Sequence, residues 1–285
     1  MNILRHVAPL RASINRLKTK GKKVGFVPTM GALHQGHASL VRRSIQDNDF
    51  TVVSIFVNPT QFGEGEDFER YPRNLVQDAD LLKELGTDLI FAPETEEIYP
   101  EGRSQSQITF NVGKLGRTLE GEKRPGHFQG VLQVVSKLFN AVQPDRAYFG
   151  QKDFQQQAIL KTLSKELLFP IEVIDCPIVR EPDGLAMSSR NIYLNPEERV
   201  QALFLSKSLK IVKEASKLTP EVDVLKARVN AELNKYPLVR LEYFELCRAA
   251  DLEPVLTVKK EENPVALTAA FLGKTRLIDN MYLFD

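Results

Sequence analysis

Cysteine is nearly absent from this 285-residue chain: two occur, Cys176 and Cys247, far apart and without Cys-x-x-Cys spacing. That excludes a disulfide framework and a thiolate metal site, and it fits a reducing cytoplasm. No apolar run approaches the ~18 residues that a membrane-spanning helix needs. At the start, MNILRHVAPLRASINRLK is interrupted by Arg5, His6 and Arg11 before a signal-peptide core can form. A charge excess is missing too. Lys+Arg number 38 against 37 Asp+Glu, a formal net charge of +1, which implies neither nucleic acid nor a membrane surface as partner. Histidine is scarce, with four in all at positions 6, 34, 37 and 127, so an imidazole-built metal cage has few ligands to draw on.

What is present is an ordinary globular composition, with 42% hydrophobic and 26% charged residues. At about 150 residues per domain, this length allows one large or two moderate domains. Up to about residue 180, short β-branched and aromatic runs alternate with helical patterns. VGFVP from Val24, TVVSIFVN from Thr51, DLIFAP from Asp88, DRAYFG from Asp145 and IEVIDCPIV from Ile171 read as buried strands. Between them, Phe128, Val131, Leu132, Val135, Leu138, Phe139 and Val142 fall on one helical face. Similar faces run through Leu75, Ala79, Leu82 and Leu85, and through Ala158, Leu160, Leu163 and Leu167; an N-terminal helix runs through Leu10, Ile14 and Leu17. This alternation predicts an α/β fold with a parallel sheet covered by helices on both sides, binding ligands at the carboxyl ends of its strands.

After EPDG (Glu181 to Gly184) the texture changes. PEERVQALFLSKSLKIVKEASK from Pro196 and PEVDVLKARVNAELNKY from Pro220 open with proline and acids, as helices do. LEYFELC, PVALTAAFLG and TRLIDN then read as short strands. The expected organisation is a parallel-sheet domain over residues 1–182 and a smaller α+β domain over 183–285 that closes over the active site.

Polar residues gather where strands end: PTMGALHQGH, NPTQFG, GQKDFQQ and MSSRN. In the first, a helix would begin near His34, and its unpaired amides and partial positive charge suit phosphate oxygens. Two histidines three apart can bind one phosphate group together, or they can simply cap the helix and pack. A zinc reading lacks the acid of HExxH, since Gln35 and Gly36 stand between the histidines. In GQKDFQQ, Lys152 can neutralise a phosphate and Asp153 can hold Lys152 or accept from a ribose hydroxyl. MSSRN offers two hydroxyls and Arg190 to outer phosphates, or equally a capped turn. Other nucleotide and hydrolase signatures fail: GKT at Gly273 has Thr268 where a P-loop needs glycine, GEGEDF from Gly63 ends in Phe68, and no GxSxG occurs.

HQGH, His34 to His37, resembles the HxGH signature of the nucleotidyltransferase and class I aminoacyl-tRNA synthetase superfamily, with MSSRN in place of its lysine-containing second loop. More narrowly, PTMGALHQGHASLV, SIFVNPTQFG, YPR, RPGHFQGV, PDRAYFGQKDFQQ and VREPDGLAMSSRNIYL together are similar to the pantothenate synthetase (pantoate–β-alanine ligase) family, over about residues 24 to 195. The resemblance implies a Rossmann-like domain and ATP-dependent condensation of pantoate with β-alanine through pantoyl adenylate, releasing AMP and pyrophosphate, on the route to coenzyme A. It also implies Mg2+ with the ATP, a homodimer and a cytoplasmic location.

By position, the resemblance places Met30, Gly31, Ala32, Leu33, His34, Gln35, Gly36 and His37 along the nucleotide, with His34 and His37 on phosphate oxygens and His37 as proton donor. Gly150, Gln151, Lys152 and Asp153, then Val179, Met187, Ser188, Ser189 and Arg190, match further ATP contacts; Lys152, Ser188, Ser189 and Arg190 match those on the phosphates. Gln61 and Gln156 match the two amides that bind pantoate. Two departures stand out: Phe154 replaces the tyrosine of many relatives, and the MSSRN loop carries Arg190 but no lysine. The resemblance assigns no Mg2+ ligands; Asp78 is a candidate. Rival readings are another HxGH-type adenylyltransferase, a tRNA synthetase-like enzyme, or a non-catalytic nucleotide-binding protein.

Overall fold

The computed structural model describes residues 1–102 and 108–284. The chain divides into two compact units. One comprises residues 1–150 and 156–176; the other joins Gln151–Gln155 to the chain from Pro177 on.

The first unit is built on a six-stranded sheet whose adjacent strands all run parallel. Its strands are β1 (Asn2–Leu4), β2 (Val24–Thr29), β3 (Phe50–Ile55), β4 (Leu89–Phe91), β5 (Arg146–Gly150) and β6 (Glu172–Cys176), in the order β1-β4-β3-β2-β5-β6. β2 to β6 thus form a Rossmann-like doubly wound core, and β1 is added at one edge beside β4. The expected strands are all there. The sequence pattern missed β1, because three residues ahead of Arg5 carry no periodicity to recognise. The run from Ile171 stops at Cys176 rather than at Val179; Pro177, without an amide hydrogen, cannot continue the ladder.

Consecutive strand residues face opposite sides, and both sides are covered. Phe26, Val52 and Phe91 pack with Leu10 and Ile14 of the Val7–Lys18 helix and with the apolar face of the His127–Val142 helix. Their neighbours Val27, Val53 and Ile90 pack with Leu40 and Val41 of the Gln35–Asp47 helix and Leu82 of the Leu75–Leu85 helix. Strand order reverses between β2 and β5, the position at which doubly wound sheets open a ligand crevice. Pairing there is partial. β2 pairs with β3 from Val24 to Thr29 but with β5 only at Gly25 and Phe26, so the carboxyl ends of β2 and β5 are left unpaired with each other.

In the second unit, β7 (Val239–Arg248), β8 (Pro264–Leu272) and β9 (Thr275–Tyr282) form an antiparallel sheet in the order β7-β8-β9. It shares a core with the Phe204–Ala215 and Val222–Leu233 helices. The pattern from Pro196 predicts one helix and the structure has two, Pro196–Gln201 and Phe204–Ala215. Between them the amides of Leu203 and Leu205 bond three residues back, to Val200 and Ala202, a tightened turn where the ladder changes type. Pro220 lies before its helix rather than in it, its carbonyl accepting from the Val258 amide.

Candidate active site

The loop after β2 is fixed by a carboxylate and by its own histidines. Gly31 (φ +80°) and Ala32 (φ +50°) both take left-handed backbone, a conformation that costs an alanine about 1–2 kcal/mol. The Asp78 side chain holds them there: Oδ2 accepts from the Ala32 amide at 3.0 Å and Oδ1 from the Leu33 amide at 2.8 Å. Gly31 must be glycine twice over, since a Cβ there would also lie 2.9 Å from Asp78 Oδ2. Asp78 is 3% exposed in the first turn of the Leu75–Leu85 helix. Burial pushes its carboxyl pKa up, and the two amides oppose that rise. Both oxygens are thus engaged by backbone, which leaves Asp78 as the anchor of the loop rather than a ready ligand for a cation. Among the described residues no group of three or more His, Cys, Asp or Glu side chains could hold a metal ion.

His34 is the N-cap of the Gln35–Asp47 helix. Its Nδ1 accepts from the Gly36 amide at 3.1 Å, and the His37 Nδ1 accepts from the His34 amide at 3.3 Å. This is a capping box with imidazoles in place of hydroxyl and carboxylate. An Nδ1 that accepts bears no proton, so each neutral ring carries its hydrogen on Nε2. The two rings lie 4.1 Å apart at 38°. No acid stands in the first turn of the helix itself to offset the positive end of its dipole. Capping occupies Nδ1 of each ring, so the two alternatives raised by the sequence do not compete for the same nitrogen.

Gln61 ends a 3-10 turn, Pro59–Gln61, after β3. Its Nε2 donates to the Met30 sulfur at 3.2 Å and its Oε1 accepts from Asn58 Nδ2 at 3.0 Å, so the structure brings Gln61 and Met30 together. Asn58, 1% exposed, is the hub beneath: it also donates to the Gly130 carbonyl and accepts from the hydroxyls of Thr60 and Tyr99. Burial pushes the Tyr99 phenol up to about 12, which keeps it a donor. Gly130 lets the His127–Val142 helix press onto this turn; a Cβ there would lie 2.3 Å from the Thr60 carbonyl oxygen. His127, 8% exposed, donates from Nδ1 to the Gln61 carbonyl at 2.8 Å. Its Nε2 then accepts from Arg124 at 3.0 Å, and Arg124 grips Glu66 with two bonds of 2.7 Å. Burial, and after it the Arg124 charge, push the His127 imidazole down to about 4. Asn58, Tyr99 and His127 carried no chemical role from sequence; only the Asn-Pro start of NPTQF hinted at a fixed turn.

Gln156 is half-buried in the Phe154–Glu166 helix, while Gln157 donates to the Phe149 carbonyl at 2.7 Å. Gly150 closes β5. In the second unit, Gln151–Asp153 forms a 3-10 turn that carries Lys152. Phe154 packs edge-on against Tyr282, with ring centroids 5.5 Å apart. Val179 and Met187 face each other across the EPDG hairpin, the Met187 amide donating to the Val179 carbonyl at 3.0 Å. Ser188 Oγ accepts from the Arg190 amide at 3.2 Å and caps the Ser189–Tyr193 turn. The MSSRN loop therefore follows this hairpin rather than a sheet strand directly.

Comparison with known proteins matches nearly the whole chain. The family model for pantoate-beta-alanine ligase matches residues 2–282. The chain is 50% identical to the pantothenate synthetase of Pseudothermotoga lettingae over 99% of each chain, and 52% identical to that of a Thermoanaerobacter species over 96% of each. Among solved structures, the pantothenate synthetase of Thermus thermophilus superposes with a TM-score of 0.93 at 44% identity over 100% of both chains. The pantoate-beta-alanine ligase of Francisella tularensis, solved with beta-gamma ATP and β-alanine, superposes at 0.81 with 35% identity over 99% of this chain and 98% of its own. With its fold, its motif-bearing loops and nearly its whole length matched in this way, the chain belongs to the pantoate-beta-alanine ligase family.

Proposed function

We propose that this protein condenses pantoate with β-alanine to pantothenate through an enzyme-bound pantoyl adenylate, with ATP converted to AMP and pyrophosphate. The observation that carries this reading is the pair of imidazoles at His34 and His37. The tautomer lock puts both Nε2 hydrogens at the positive end of a helix that starts just beyond β2. A pantoate carboxylate oxygen attacks the α-phosphorus, and the bond to the bridging oxygen breaks as pyrophosphate leaves with its electron pair. His34 and His37 donate to the oxygens on which charge develops. A neutral ring whose Nδ1 already accepts has one proton, so His37 acts by holding a hydrogen bond rather than by delivering that proton.

Lys152, Ser188, Ser189 and Arg190 bind the phosphates, the guanidinium presenting a two-pronged donor where related loops use lysine. Met30 to His37, Gly150 to Asp153, Val179 and Met187 line the nucleotide. Gln61 and Gln156 bind pantoate, each amide supplying a donor and an acceptor for a substrate with hydroxyls and a carboxylate. In the second step the neutral amine of β-alanine attacks the acyl carbon, the acyl–oxygen bond breaks and AMP departs, the nitrogen losing a proton to solvent. No side chain forms a covalent bond; the protein supplies position and charge.

Mg2+ enters as the companion of ATP. With Asp78 held by two amides and no acidic cluster among the described residues, the ion fits a site made mainly of phosphate oxygens and water, as Mg2+ commonly prefers. A homodimer and a cytoplasmic location complete the proposal; the two free, buried cysteines support a reducing compartment. The test is incubation with ATP, Mg2+, pantoate and β-alanine. AMP and pyrophosphate are expected in equal amounts, and only when pantoate is present. AMP without pantoate points to another adenylyltransferase, and nucleotide binding without turnover to a sensor; either result overturns the proposal.

A further inference from the structure

The last strand of the second unit reaches the lysine turn. Asn280 of β9 is 2% exposed, and both hydrogens of its amide are used: Nδ2 donates to the carbonyls of Gln151 and Lys152, each at 2.9 Å. Its Oδ1 accepts from Gln151 Nε2 at 3.4 Å. One buried amide therefore fixes two successive peptides of the turn that carries Lys152.

Asn280 is itself anchored. Its backbone amide donates to Asp279 Oδ1 at 2.8 Å, and the Asp279 carboxylate, with no side-chain exposure, accepts from both Arg180 nitrogens at 2.7 and 2.9 Å. Arg180 also donates to the Gly184 carbonyl at 3.1 Å and bridges to Ala186 across the hairpin that leads into Met187–Arg190. A carboxylate buried to this degree is tolerated only when paired and fully bonded, as here. β9 thus holds the lysine turn and the hairpin before the MSSRN loop on one rigid edge.

We propose that Asn280, seated by the Asp279–Arg180 pair, is a positioning residue for Lys152, needed for adenylate formation and not for the later attack by the amine. This rests on the phosphate-binding role proposed for Lys152. A cation must sit within a fraction of an ångström of its mark to stabilise charge in flight, and misplacement by about 1 Å can cost on the order of 10²-fold. Once pyrophosphate has left, the charge that Lys152 offsets has left with it.

The experiment measures the two half-reactions separately in Asn280→Ala and in the shape-matched Asn280→Asp, whose ionised carboxylate cannot donate to either carbonyl. Pyrophosphate release from ATP and pantoate should slow about tenfold or more with a raised KM for ATP, whereas β-alanine should consume supplied pantoyl adenylate within about twofold of the parent rate. The double variant Lys152→Ala/Asn280→Ala should be no slower than Lys152→Ala alone, because the second change acts through the first. Equal losses in both half-reactions for both Asn280 variants, or multiplied losses in the double variant, overturn the proposal. A slow Lys152→Ala beside an unaffected Asn280→Ala removes this inference alone. Lys152→Ala with unchanged pyrophosphate release removes the phosphate role of Lys152 as well.

Discussion

The loop after β2 and the turn after β5 face the same proposed task, and they are held in different ways. The first is largely local. His34 and His37 cap a helix start within a span of four residues, and one carboxylate on the next helix, Asp78, fixes the left-handed backbone ahead of them. The second has its backbone clamped by a residue 128 positions away in sequence, on the last strand of the chain. A catalytic motif can therefore be self-supporting or can borrow its geometry. Only the first kind keeps its support beside its chemistry, where a substitution in the motif disturbs both.

Lys152→Ala should give the largest effect. Pyrophosphate release is expected to slow about 10²–10³-fold while the melting temperature stays within error, since the side chain works on transition-state charge and the turn is held through its backbone. Unchanged release would mean that the borrowed geometry serves something other than phosphate binding.

Next comes acid. His127 is held neutral in the first unit, its pKa lowered to about 4 from 6.5, so between those values the unfolded chain binds a proton that the folded chain does not. Stability then falls as pH drops through this window, by up to about 3 kcal/mol. The support beneath Gln61 lies in the first unit and the Asn280 clamp in the second, so acid should loosen the first before the second. Hydrogen exchange at pH 5 against pH 7 checks this, and His127→Gln should flatten the dependence. Asp78→Asn follows at about 2 kcal/mol, because an –NH2 group on a buried side chain would then face one of the two backbone amides. Its urea midpoint should drop, and adenylate formation should slow with it as the loop relaxes.

The same contrast explains what was legible in the sequence. Periodicity found β2 to β6, the long helices between them and the three strands of the tail, because each buries a face whose spacing is written locally, whereas the four-residue helices Thr95–Ile98 and Glu120–Lys123 are too short to show one. PTMGALHQGH was legible because cap, glycine and imidazole are neighbours in the chain. β1 was not, being three residues that matter only once β4 lies beside them. Nor was Asn280: in TRLIDN it is one polar residue of a strand, and its partners Gln151 and Lys152 are brought to it by the fold. Asp78 offered itself from sequence only as a candidate Mg2+ ligand, and its actual use, two backbone amides in a loop 46 and 45 residues earlier, leaves no mark in composition.

The smallest effect separates the two uses of one ring. His34→Ala removes the side-chain acceptor for the Gly36 amide and should cost about 1 kcal/mol, the usual loss for an N-cap. His34→Asn restores an acceptor of the preferred kind and should return stability to within about 0.5 kcal/mol of the parent. Asparagine is shorter than histidine and places no donor where Nε2–H was, so adenylate formation should remain slow in both variants. If Asn restores turnover together with stability, then His34 serves only as a cap, and the phosphate chemistry of the β2 loop rests on His37 and the helix amides.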